Sequence, residues 1–223
     1  MTDIVLFGTG MVADVVAATI ARAGRDRVVA HTVDRAVLTA PEHRGRPVWP
    51  FEEIETHVPP DRARMLVAVG YHDLNALRAA RCADARAKGY ELASHVGGAG
   101  ADPTVTVGGN VVVLDGAGLQ PYASVAEGTF VFSGATVGHH ASVGPFCWVT
   151  SNSVISGAST IGARCFLGLG CVIGHRVTVG DGCVVGAGAR LLKDAAPDGV
   201  YLEPGTDRFR LDTPRFLRMT RLA

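Results

Sequence analysis

The chain has 223 residues, enough for one large domain or two small ones. Its 48% apolar content excludes a disordered chain, and 21 basic against 21 acidic residues argue against nucleic acid or an anionic membrane as the main partner. Asp14 interrupts the richest apolar run and Asp3 comes too early for a signal peptide, so the chain reads as cytoplasmic with no membrane span.

Asp3-Ile4-Val5-Leu6-Phe7 reads as a buried strand that runs into Gly8-Thr9-Gly10-Met11. A helix follows, with Val12, Val15, Val16 and Ile20 on one face and Gly24 as its stop. Val28 to Val33 is a second strand ending at Asp34, and Met65 to Gly70 a later one. A helix capped by Asp73 then runs to Lys88 and Gly89, and Leu92 to Val96 closes the unit. This alternation predicts a parallel α/β sheet over residues 1–98.

Gly8-x-Gly10-x-x-Ala13, between a strand and a helix, matches the dinucleotide fingerprint, with Asp34 further along the chain. Backbone amides of such a turn at a helix N-terminus suit a phosphate. The unit is long enough for one mononucleotide-binding half-Rossmann domain, so a nucleotide or nucleotide-sugar fits better than a whole dinucleotide. Gly8, Gly10, Met11 and Asp34 are its expected substrate contacts; a glycine turn serving chain reversal alone is the alternative. Gly70, Tyr71, His72 and Asn75 follow a strand's C-terminal end, where α/β sheets bind ligands, and they also read as plain helix-start residues.

Composition changes beyond Gly97-Gly98-Ala99-Gly100. Residues 1–98 carry 24 charged side chains and 8 glycines, residues 99–194 carry 9 and 18, and residues 195–223 carry 9 and 2. A domain boundary at this linker explains the shift, with residues 195–223 as a tail. Stepping by six from Val107 through Val113, Leu119 and Val125 to Leu191, fifteen consecutive positions are Val, Ile or Leu. Two residues before these lie small or β-branched side chains such as Ala123, Thr129, Ser153 and Val177. The pattern resembles the hexapeptide repeat of left-handed parallel β-helices. Each hexapeptide would give one short strand and one turn, so fifteen make five three-sided coils from about Val105 to Leu192, without a protruding loop. Cys147, Cys165, Cys171 and Cys183 take the small inward slot and Cys82 sits in a helix, so all five read as structural thiols.

An α/β nucleotide unit followed by a hexapeptide β-helix resembles the PglD/NeuD-like nucleotide-sugar acetyltransferases, over residues 1 to about 205. Val137-Gly-His-His-Ala-Ser-Val-Gly144 is similar to that family's active-site stretch. The resemblance implies an acetyl-CoA co-substrate, no metal, an amino or hydroxyl group of a nucleotide-linked bacterial sugar as acceptor, and a homotrimer with sites between subunits. It makes His139 the catalytic base, with His140 beside it, and Gly157 the amide that meets the acetyl carbonyl. Trp148, Gly168, Ala187 and Lys193 would contact the coenzyme. His175, two coils of 18 from His139 in the same column, could line the same groove or stand as an exposed corner residue.

This chain departs from the family where His140 replaces a carboxylate, Trp148 a histidine and Phe132 an asparagine. Without the carboxylate, the second ring nitrogen of His139 is expected to donate to a backbone carbonyl or to a neighbouring subunit. A non-catalytic nucleotide-sugar sensor and a γ-carbonic-anhydrase-like zinc enzyme are the rival readings, the latter lacking an H-x-x-x-x-H pair. The tail's Arg208, Arg210, Arg215, Arg218 and Arg221 suggest no role.

Overall fold

The structure, a computed structural model, describes residues 1–98, 101–205, 207–208 and 210–220. Ala99 and Gly100 of the expected linker and Arg221 of the tail lie outside the described residues. The α/β unit holds β1 (Thr2–Phe7), α1 (Met11–Ala23), β2 (Asp26–Val33), β3 (Glu42–His43), β4 (Arg46–Pro50), α2 (Ile54–His57), β5 (Arg64–Val67) and α3 (His72–Ala87). Its sheet order is β3-β4-β2-β1-β5, parallel except for the β3/β4 hairpin, neither strand of which the sequence reading included.

Gly24 ends α1 in the left-handed conformation, its N–H on the Ile20 carbonyl, as a helix stop requires. Val15, expected on the buried face of α1, is instead 43% exposed; Ala13, Val16, Thr19 and Ile20 carry the packing. Asp73 does not cap α3. It makes no capping hydrogen bond, and Asp73, Leu74 and Asn75 all turn left-handed, with φ of 47°, 45° and 68°. The reason lies at Asn75, which is fully buried. Its Nδ2 donates to the Phe146 carbonyl at 2.6 Å and its Oδ1 accepts from Arg78 at 2.7 Å. Both ends of the amide are spent on structure, so Asn75 is not a ligand contact.

The hexapeptide register holds throughout. Fifteen two-residue strands from Thr106–Val107 to Arg190–Leu191 stack into three parallel sheets without an inserted loop. The inward aliphatics Val125, Val137, Val149, Ile155, Ile161, Leu167 and Ile173 are at most 1% exposed, and the small slot from Ala123 to Ala189 is buried. All five cysteines are free and buried. The coil is longer than expected at both ends. His95–Val96, read as closing the α/β unit, pairs with Val112–Val113 instead, and only Leu92 reaches the first sheet, by a bridge to Met65. At the far end Val200–Tyr201 pairs with Val184–Val185, so one face has seven strands and the others five.

That seven-stranded face positions the site. Its outward residues Val112, Phe130 and Trp148 join Ile4, Leu6, Leu66 and the α1 residues Ala13, Val16 and Ile20 in one buried cluster. Much of the charge-poor surface of residues 99–194 is thus covered by the chain's own α/β unit. The opposite face of the first sheet, with Val5, Phe7, Met65 and Val67, packs on Ile54, Cys82 and Ala85. Among the described residues no helix is long and apolar enough to cross a membrane.

Candidate active site

The carboxyl ends of β1, β2 and β5 form one rim, which gathers Gly8, Gly10, Met11, Asp34, Gly70, Tyr71 and His72. Gly8 has a φ of +124°, and a Cβ there would lie 2.9 Å from the Ala68 carbonyl, so no other residue fits. Its carbonyl accepts from His31 Nδ1 at 2.8 Å, and burial lowers the pKa of that imidazole. Gly10 differs: it is the α1 N-cap at φ −87°, and a Cβ on it would meet nothing within 4 Å. The space in front of the helix N-terminus is open, which is what an incoming phosphate needs.

Asp34 stands at the end of β2 as expected, but its carboxylate is held by Arg81 at 2.8 Å. Beside it Thr9, Val33, Val37 and Leu38 line a small cleft of ≈ 120 Å³. Gly70 and His72 lie on the rim, with the Gly70 carbonyl accepting from Arg78. Tyr71 is half exposed and leans onto the β-helix, its ring 5.3 Å from Trp148 and 5.0 Å from Phe166.

The residues expected to hold the coenzyme fall into two groups. Gly168 and Ala187 stand at the turns leaving the seven-stranded face. With Tyr71, Phe132, Trp148, Thr150, Phe166 and Leu169 they line a cleft of ≈ 410 Å³. Trp148 is only 4% exposed, stacked on Phe130 at 5.3 Å, with the Arg78 guanidinium 5.1 Å from its ring. His139, His140, Gly157, His175 and Lys193 occupy the next corner, across one five-stranded face. One chain does not bring the two groups together.

At that corner His139 and His140 are exposed in a turn between Thr136–Val137 and Ser142–Val143. A Cβ on Gly157 would lie 2.6 Å from His139 Nε2, so the absence of a side chain at 157 keeps this nitrogen clear. The His139 and His175 rings are 6.4 Å apart in the same column. The His139 amide donates to Gln120 Oε1 at 2.9 Å. One coil up, the position equivalent to Gln120 is Gly138, which has no side chain to offer the Gly157 amide. Within one chain the second His139 nitrogen finds a different partner from the expected backbone carbonyl. Its Nδ1 lies 3.2 Å from His140 Nδ1, not on a backbone carbonyl. Among the described residues no group of three His, Cys, Asp or Glu side chains is placed to hold a metal ion.

Arg78, Gln120 and Tyr122 escaped the sequence reading. For the last two a signal existed: Tyr122 is one 18-residue coil before His140, and Gln120 one coil and one residue before His139.

The profile of the hexapeptide repeat of succinyl-transferase matches residues 159–193. A search of curated proteins finds no match. Among solved structures the chain is similar to the acetyltransferase domain of PglB from Neisseria gonorrhoeae, at 26% identity and a TM-score of 0.76, covering 90% of this chain and 96% of that one. It is also similar to PerB from Caulobacter crescentus, solved with CoA and GDP-perosamine, at 26% identity and a TM-score of 0.80, covering 90% and 93%. The PglB domain has in addition been solved with acetyl coenzyme A, at 25% identity and a TM-score of 0.78, covering 89% and 94%. The unbroken hexapeptide coil, the α/β unit on its seven-stranded face and these two likenesses agree: the chain is similar to the nucleotide-sugar acetyltransferases of the PglD/NeuD-like type.

Proposed function

We propose that the protein transfers an acetyl group from acetyl-CoA to the amino group of a nucleotide-linked sugar. The observation that carries this reading is the juxtaposition at one corner of a clear His139 Nε2 with the Gly157 backbone. An amine nucleophile attacking a thioester must lose a proton as the carbonyl oxygen gains charge. His139 Nε2 takes that proton, and the Gly157 N–H faces the developing oxyanion. The carbonyl then reforms, the carbon–sulfur bond breaks, and the imidazolium returns the proton to the departing coenzyme thiolate. The likeness to the perosamine N-acetyltransferase of Caulobacter crescentus, solved with CoA and GDP-perosamine, supports an N-acetyl product over an O-acetyl one.

The nucleotide lies on the Gly8–Met11 turn, its phosphates at the α1 N-terminus and its base toward Thr9 and Asp34. The coenzyme runs past Lys193, Ala187, Gly168 and Trp148, with Tyr71 beside the acceptor. Because these groups sit on two corners of the coil, we assign the protein as a homotrimer in which the His139 corner of one copy closes on the Tyr71 cleft of the next. The α/β unit before His95 then acts as the acceptor-binding unit, the coil from His95 to Tyr201 as the transferase unit, and the residues after it as a tail.

Gly10→Val tests the acceptor half. The site has room for the side chain at a permitted φ, so the fold is retained while the valine occupies the phosphate's approach. Calorimetry is expected to show nucleotide-sugar binding lost and acetyl-CoA binding kept. Undiminished affinity for the nucleotide-sugar would contradict the assignment.

A further inference from the structure

We propose that His140, clamped by Tyr122 from the coil beneath, is the positioning residue that selects the tautomer of His139. The inference rests on His139 being the base, and it concerns what replaces the carboxylate that this chain lacks.

Three observations carry it. His139 Nδ1 and His140 Nδ1 are 3.2 Å apart with their rings at 84°, so the lone pair of one ring meets the N–H of the other. Only one proton fits between two such nitrogens. If His139 supplies it, His139 Nε2 is bare and faces Gly157; if His140 supplies it, the proton of neutral His139 sits on Nε2 and the base is blocked. The His140 ring is also held in place. It stacks on Tyr122 at 4.7 Å and 29°, and its backbone N–H donates to the Pro121 carbonyl at 3.2 Å. Finally, the backbone sets the direction of approach. Tyr122, His140, Ala158 and Arg176 take the same turn place in successive coils, with φ of 64°, 59°, 57° and 59°. This left-handed place swings the 140 side chain back along the column toward Tyr122 and beside His139. Histidine is among the residue types enriched there, so the strain is small.

The chemistry balances without a carboxylate. When His139 Nε2 takes the acceptor's proton, the resulting imidazolium keeps its Nδ1–H on the neutral His140 ring, which accepts it. His140 donates nothing to the substrate and touches no reacting atom. An imidazole stabilises the cation less than a carboxylate does, and it leaves the pair one unit less negative beside an anionic coenzyme.

Nitrogen-15 NMR of the imidazoles in the full chain tests this, paired with kinetics of His140→Ala and His140→Asp. Ala158 shows that alanine takes this turn place, so His140→Ala is expected to fold. In the native protein neutral His139 should carry its proton on Nδ1. In His140→Ala the Nε2–H form should grow and kcat should fall about tenfold, a part of the general-base effect, with KM for acetyl-CoA unchanged. His140→Asp, whose carboxylate accepts the same proton, should restore both the tautomer and kcat. An Nε2–H tautomer in the native protein, or an unchanged tautomer and kcat in His140→Ala, would overturn the proposal. If native protein acetylates no acceptor, the transferase reading fails, and the NMR result still decides the tautomer.

Discussion

His139→Ala is expected to lower turnover by at least about a hundredfold, the lower end of what a general base contributes, while acetyl-CoA affinity stays nearly unchanged. The residue is exposed at a coil corner, and its backbone amide, not its ring, is what the Gln120 side chain binds. Removing the imidazole therefore leaves the coil hydrogen bonds intact and deletes only the proton acceptor. The Gly157 amide, the proposed oxyanion donor, remains, so some acceleration over solution is expected to persist. Steady-state kinetics with a fixed acceptor should show the loss in kcat. A variant with native turnover would remove His139 from the mechanism, and with it the role assigned to His140.

The second large effect concerns the joint between the two units. Arg78 is completely buried, has no carboxylate partner among the described residues, and uses all five of its N–H donors. Nε donates to the Gly128 carbonyl at 2.7 Å, and Nη1 to those of Val69 and Gly70 at 3.1 and 3.3 Å. Nη2 donates to Asn75 Oδ1 at 2.7 Å and to the Cys147 carbonyl at 3.3 Å. The guanidinium also lies 4.5 Å from the Phe130 ring centroid. Burial pushes its pKa down to about 10, so it stays charged at neutral pH. Arg78→Leu roughly keeps the volume but strips partners from five acceptors, three of them buried, spread over α3, β5's exit loop and the β-helix. Removing the desolvated charge offsets part of that loss, and the net cost should be about 3 kcal/mol. For a chain of this size that lowers the melting temperature by about 6–12 °C. Thermal unfolding checks it, and a shift below about 2 °C would show that the apolar cluster around Phe130 and Trp148 and the remaining hydrogen bonds hold the joint without Arg78.

The β-helix was legible because its core is narrow. Each inward slot accepts one aliphatic or one small side chain, so the six-residue step cannot drift, and Val107 to Leu191 announces itself. The glycine turn was legible for a similar reason: Gly8 has no room for a Cβ. What sequence patterning missed depends on contacts between units far apart in the chain. His95–Val96 looks like any short strand, and only its partner Val112–Val113 assigns it to the coil. Asp73 has the composition of a helix cap, yet the pull of Phe146 and Arg78 on Asn75 bends that turn left-handed. Phe130 and Trp148 sit at outward positions of the repeat and gave no sign that the α/β unit covers them. The contact between His139 and His140 depends on the left-handed turn at 140, which sequence periodicity does not specify.

The transfer itself is the decisive measurement. Native protein incubated with acetyl-CoA and a panel of GDP-, UDP- and dTDP-linked amino sugars should give, by mass spectrometry, one product heavier by a single acetyl group, with free CoA released in equal amount. Under the same conditions the corresponding sugars without an amino group should remain unchanged. Binding of acetyl-CoA and of a nucleotide-sugar with no acetylated product anywhere in the panel would contradict the account and leave a binding protein on a transferase fold.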